Sequence, residues 1–191
     1  MRIALAQINT TVGDLAGNVD LIAKTARQAA AGGAVLVVFP ELSITGYPPR
    51  DLVEKRSFLE RTEEHLDRLA RETADLDAAI ICGYVGRSNA LTGKTATNSA
   101  AVIEGGRVVF RQSKMLLPTY DVFDEARYFV PAEEQQLCHL RGRKIALTIC
   151  EDAWNDKQFW ERRLYRRDPV EELVAQGADL IVSINASPYH M

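Results

Sequence analysis

Residues 34–39, AVLVVF, are apolar at every position, and Pro40 ends the run. A strand with one face in water alternates apolar and polar residues. An unbroken apolar run must instead be covered on both faces. Residues 144–149 (KIALTI) again read as a buried strand, and AAIICGYV (78–85) and DLIVSI (179–184) as further strands. Runs of this kind need helices or a second sheet packed over them, which confines the chain to an α/β architecture.

The intervening segments supply the helices. RIALAQI (2–8) reads as a first strand. Residues 19–31 read as a helix stopped by Gly32-Gly33, and residues 51–72 as mostly helical, with Leu52, Phe58, Leu59, Leu66 and Leu69 as the apolar positions. Residues 97–104 and 108–114 flank Gly105-Gly106, a hairpin signal, and a helix over 169–176 ends near Gly177. With no repeat, low-complexity tract or flexible linker, residues 1–191 read as one domain. NASPYHM follows the last strand directly, so the domain is expected to be truncated on its C-terminal side.

A hydrophobic fraction of 47% with 26% charged residues suits a globular core. Net charge −3 and a pI near 5.7 give no electrostatic reason to expect nucleic acid or an anionic membrane as partner. WERRLYRR (160–167) is a local exception and reads as a solvated helix face or a subunit contact. No run approaches the roughly 18–20 apolar residues of a bilayer span. Cys82, Cys138 and Cys150 are odd in number and widely spaced, without a CxxC. That pattern argues against a disulfide framework or a zinc site and fits a reducing cytoplasm.

Ends of buried strands are where α/β proteins place chemistry. Three such ends carry reactive groups: Glu41 after VVFP, Lys114 after VVFRQS, and Cys150 after KIALTI. Each alone has a bland explanation: an exposed turn acid, an edge-protecting lysine, an inert buried thiol. Together they form what splitting an unactivated C–N bond requires: a nucleophile, a proton carrier and a cation for the developing oxyanion. A thiol ionises near pH 8.5 and needs activation at neutral pH. Glu41 would take its proton and pass it to the leaving amine, while Lys114 would favour the thiolate and support the oxyanion.

Histidine is the competing base. His65 lies in a charged helical stretch, His139 in a surface strand or loop, and His190 in turn-like sequence, so Cys–His catalysis is the weaker reading. Glycine-rich phosphate loops, GxSxG and metal-ligand spacing are absent from the sequence.

FPELSITGYPPRDL, SKMLLPTYDVFDEARYF and LTICEDAW resemble the three signature blocks of the nitrilase, or carbon–nitrogen hydrolase, superfamily. The resemblance spans essentially the whole chain. It implies an α-β-β-α four-layer sandwich and a triad of Glu41 as general base, Lys114 as oxyanion support and Cys150 as nucleophile. GYPPRDL, LLPTYDVFDEARYF and CEDAW further resemble the glutaminase domain of the glutamine-dependent NAD synthetase family. That likeness implies L-glutamine as substrate, a covalent thioester, no cofactor for the hydrolytic step and homo-oligomers. Tyr120 and Ser187 correspond to glutamine contacts. ATP and Mg2+ are expected only in a synthetase domain outside this sequence, as is a further glutamine-contacting lysine.

Glu151 and Asp152 either bind the substrate's amino group or cap a helix that follows Cys150. Glu125 and Arg127 either pair with each other or position Lys114. Two other functions stay open: a stand-alone amidase of the same superfamily, and a non-catalytic binding or assembly domain.

Overall fold

The computed structural model describes residues 1–89, 92–121, 123–156, 158–159 and 162–187. Its elements run β1 (Ile3–Leu5), α1 (Leu15–Ala31), β2 (Leu36–Val38), a 3-10 turn (Arg50–Glu54), α2 (Arg56–Glu72), β3 (Ala79–Arg87), β4 (Ala96–Glu104), β5 (Arg107–Ser113), α3 (Glu125–Tyr128), β6 (Cys138–Leu140), β7 (Arg143–Ile149), a second 3-10 turn (Cys150–Ala153), α4 (Pro169–Ala175) and β8 (Leu180–Ile184). The strands form two sheets, ordered β1-β2-β3-β4-β5 and β6-β7-β8.

The unbroken apolar runs are explained by what covers each face. In β2, Leu36 and Val38 point between the sheets while Val37 points to the helices; in β3, Ala79 and Ile81 alternate in the same way with Ile80, Cys82 and Tyr84. The helix side receives Leu15, Val19 and Ile22 of α1 and Leu59, Leu66 and Leu69 of α2. Between the sheets, Ala100 and Val102 of β4 share a core with Ile145, Leu147 and Ile149 of β7 and with Val182 and Ile184 of β8. α4 lies on β7 and buries Leu173. The order is therefore helix, sheet, sheet, helix, as the resemblance implied.

Several elements differ in extent from the sequence reading. β1 and β2 are shorter than read: Ile3–Leu5 pairs with Leu36–Val38, which pairs in turn with Ala79–Ile81. α1 begins at Leu15, where the Asp14 side chain accepts from the Gly17 amide. The 51–72 segment breaks at Lys55, whose extended backbone separates the 3-10 turn from α2. The hairpin at Gly105-Gly106 forms as read, both glycines taking positive φ. WERRLYRR is no helix face across its described residues, 162–167, which form an irregular segment.

Topology then sets the site. β1, β2 and β3 are parallel, and two antiparallel pairings return β5 to that direction. The ends of β2, β3 and β5 and the start of β4 thus share one edge. The end of β8 meets it, since the Glu41 amide donates to the Asn185 carbonyl at 3.4 Å.

Candidate active site

Glu41 follows Phe39-Pro40 into a stretch laid directly on β3. The Gly83 amide donates to the Pro40 carbonyl and the Ile44 amide to the Gly83 carbonyl. A side chain at 83 would collide with this backbone, which is why the strand carries glycine there. Glu41 is buried, and its carboxylate accepts three bonds. Lys114 Nζ (2.8 Å) and Asn98 Nδ2 (2.7 Å) reach Oε1, and the Ala186 amide (2.9 Å) reaches Oε2.

Lys114 is fully buried, which overturns the edge-protecting reading. Its Nζ contacts Glu41 and also Glu125, 2.9 Å from Oε2. Burial works to lower the ionisation of the ammonium, but Glu41 and Glu125 outweigh it and hold Lys114 above its ordinary value. Both oxygens of Glu125 and Oε1 of Glu41 lie within 3.0 Å of Nζ, so two carboxylates share its three N–H donors. Burial pushes the Glu125 carboxyl up, with Lys114 acting against it. Asn98 Nδ2 bridges Glu41 and Glu125 (3.2 Å), and the Tyr47 hydroxyl donates to Glu125 at 3.1 Å. The open alternative for Glu125 thus resolves to positioning Lys114. Arg127 is exposed and faces Asp124 instead.

Cys150 caps β7 and opens the second 3-10 turn with φ of 46°, a left-handed conformation that costs a non-glycine residue about 1–3 kcal/mol. Asp152 holds that bend. Its carboxylate accepts from the amides of Met115 (2.9 Å), Leu116 (2.8 Å) and Ile149 (3.3 Å) and from Gln135 Nε2 (2.9 Å), tying the segment after Lys114 to the Cys150 turn. Asp152 is therefore a structural tie.

Burial, reinforced by the charge of Glu41, pushes the Cys150 thiol up to about 11, against the pull of Lys114 and the Ser187 hydroxyl. Lys114 thus pulls toward the thiolate, and burial together with Glu41 outweighs it. Ser187 Oγ lies 3.6 Å from Sγ, at the exposed exit of β8.

Glu151, the next residue, is 2% exposed. Tyr120 OH donates to its Oε2 at 2.7 Å and Tyr165 OH to its Oε1 at 2.8 Å. Tyr120 is 46% exposed, so this carboxylate forms a floor beneath an open rim.

Six residues singled out in the sequence, Glu41, Lys114, Cys150, Glu151, Tyr120 and Ser187, thus meet at one end of the sandwich. The two described histidines, His65 and His139, do not join them. His65 bonds the Arg61 carbonyl on α2, His139 pairs opposite Lys144 at the far end of β7, and His190 lies outside the described residues. Sequence reasoning missed Asn98, Tyr47, Gln135, Asn155 and Tyr165. Asn98 had a signal: a lone amide within β4, a strand buried along nearly its whole length. Among the described residues no cluster of His, Cys, Asp or Glu could hold a metal ion, and no helix is long and apolar enough to cross a membrane.

The carbon-nitrogen hydrolase family profile matches residues 2–190. The glutamine-dependent NAD(+) synthetase of Synechocystis sp. is 45% identical over 98% of this chain and 34% of its own length. Among solved structures, glutamine-dependent NAD+ synthetase from Acinetobacter baumannii superposes with a TM-score of 0.81 at 30% identity, over 98% of this chain and 32% of that one. A nitrilase-superfamily amidase from Nesterenkonia AN1, solved as a cysteine-to-alanine mutant, gives 0.80 at 28% identity, over 99% of this chain and 66% of that one. The chain spans about a third of the length of the curated relatives it matches. With the match covering nearly every residue and the fold agreeing layer by layer, the chain belongs to the carbon-nitrogen hydrolase family.

Proposed function

We propose that this chain is the glutaminase part of a glutamine-dependent NAD synthetase, hydrolysing the side-chain amide of L-glutamine through a Cys150–Glu41–Lys114 triad. The observation that carries the reading is the buried Lys114–Glu41 pair acting on Cys150 at the end of β7.

Glu41 takes the Sγ–H proton as sulfur attacks the amide carbon. The carbonyl oxygen becomes an oxyanion facing the Lys114 ammonium. Collapse expels the amine, which leaves as ammonia with the proton Glu41 held. Water, deprotonated by Glu41, then splits the thioester, releasing glutamate and restoring the thiol. A thiol held near 11 suits this order, because ionisation happens at attack, beside a base, and not in the resting site. Glu151 would receive the α-ammonium of glutamine, with Tyr120 and Ser187 at the rim. The ammonia would pass to an ATP- and Mg2+-using domain of the same protein that amidates deamido-NAD, in a cytoplasmic homo-oligomer. The hydrolytic step itself uses no cofactor.

The test is Cys150→Ala in the complete protein. Glutamine-driven NAD formation should vanish while ammonia-driven formation persists; a variant that still uses glutamine overturns the mechanism. Likeness to the Nesterenkonia amidase supports a second reading, a stand-alone amidase for another small amide. Ammonia release with no ammonia-driven NAD formation would favour it.

A further inference from the structure

Glu151 carries one phenol on each carboxylate oxygen, and only Tyr120 belongs to the blocks that resemble a known family. Tyr165 arrives by a different route. It sits in the irregular segment after the Cys150 turn, and Asn155 closes that segment from inside. Asn155 Nδ2 donates to the carbonyls of Tyr165 (3.0 Å) and Arg167 (2.6 Å), and its Oδ1 accepts the Tyr165 amide at 3.3 Å. Asn155 is 2% exposed, so water does not compete for these bonds. Arg167 is tied in turn to Glu172 on α4. The Tyr165 ring therefore reaches Glu151 from a backbone position held on both its amide and its carbonyl.

We infer that Tyr165, held by Asn155, is a positioning residue that fixes the Glu151 carboxylate as a receptor for the α-ammonium group of an amino-acid amide. The inference rests on the glutamine reading above. A carboxylate offers about four lone-pair sites. The two phenols occupy one on each oxygen and stop the group from turning, so its free sites keep one direction. Burial and the neighbouring Glu151 charge hold both phenols above their ordinary values, so each remains a donor. An amide without an α-ammonium leaves the buried carboxylate without a cationic partner, which disfavours that substrate. Without the Tyr165 bond the carboxylate can rotate, and the preference weakens.

The experiment measures ammonia release by the complete protein from glutamine and from glutaramate, the same amide lacking the α-amino group. Tyr165→Phe keeps the ring and removes the donor. It should lower kcat/KM for glutamine about tenfold, chiefly through KM, and change the value for glutaramate less than twofold. Asn155→Ala should give the same substrate-dependent loss, and the double variant should be no worse than the greater single one. A Tyr165→Phe protein with an unchanged glutamine-to-glutaramate ratio, whether both rates fall or neither does, overturns the inference and leaves the glutamine reading standing. A wild-type protein that hydrolyses both amides equally well overturns the glutamine reading and the inference with it.

Discussion

Gly83 lies against the backbone of Glu41: a Cβ at position 83 would stand 2.7 Å from Glu41 Cα and 2.1 Å from the Leu42 amide nitrogen. No rotamer relieves such a contact, because every atom involved is main chain.

Gly83→Ala must therefore push the 40–44 stretch off β3 and move the Glu41 carboxylate with it. Overpacking of this kind costs about 1–3 kcal/mol. A shift of about 1 Å at the proton carrier lowers turnover roughly a hundredfold. Urea unfolding and amide hydrolysis, measured together, check both. A variant with wild-type turnover would mean that Glu41 is not held by this approach.

The state of Cys150 gives an opposed pair of readouts. Burial raises the thiol first and the Glu41 charge second, while Lys114 pulls it down. Glu41→Gln removes a raising charge, so the ionisation of Cys150 should fall below about 11 even as hydrolysis is lost. Iodoacetamide labelling across pH 7–11, read by peptide mass spectrometry, measures it. Cys82 and Cys138 are buried and pushed up to about 12 and about 11, so they serve as slow internal references. Slower labelling of Cys150 in Glu41→Gln at pH 8 would contradict the arrangement.

Lys114 shows what a strand-end pattern reveals and what it hides. Glu41, Lys114 and Cys150 were legible because each follows a strand, and the two-sided burial of β2 and β7 was written in largely apolar runs. That Lys114 is fully buried was not legible, since the carboxylates it meets are fixed by Asn98 on β4, which bonds Glu41, and by Tyr47, which bonds Glu125, neither of which the sequence singled out. Tyr165 was hidden for another reason. The segment that delivers it has no periodicity, and its form comes from Asn155 bonding to backbone, which any residue type can supply. Element ends moved where a local cap, as at Asp14, outweighed hydrophobic spacing.

Lys114→Met leaves Glu41 and Glu125 as neighbouring buried carboxylates without their cation. Breaking a buried pair in this way costs about 3–5 kcal/mol. Without Lys114 the Glu125 carboxyl, already raised by burial, is raised further, and a raised acid stabilises the fold below its unfolded value and loses that contribution as pH rises. The deficit of the variant should therefore be largest at pH 7 and shrink toward pH 5. Urea unfolding at the two pH values decides it, and a deficit that grows on acidification would rule out the paired-carboxylate account.

Asp152 makes the same sign visible in the wild-type protein. Burial raises its carboxyl from the usual 3.8 to about 6, against the pull of the Leu116, Met115 and Ile149 amides and Gln135. The folded state thus binds the proton more tightly than the unfolded chain. The stabilisation is complete below pH 3.8 and is lost as pH rises through about 6, a swing of roughly 3 kcal/mol. Asp152→Asn keeps an acceptor for Met115 and Leu116 but cannot titrate. The stability of wild type relative to Asp152→Asn should consequently fall between pH 4 and pH 7, with most of the change spread over pH 4–6. Chemical unfolding of both proteins across that range measures the difference directly. A difference that stays flat, or climbs with pH, would mean that the four donors around Asp152 outweigh its burial and that the tie between Lys114 and Cys150 is charged throughout.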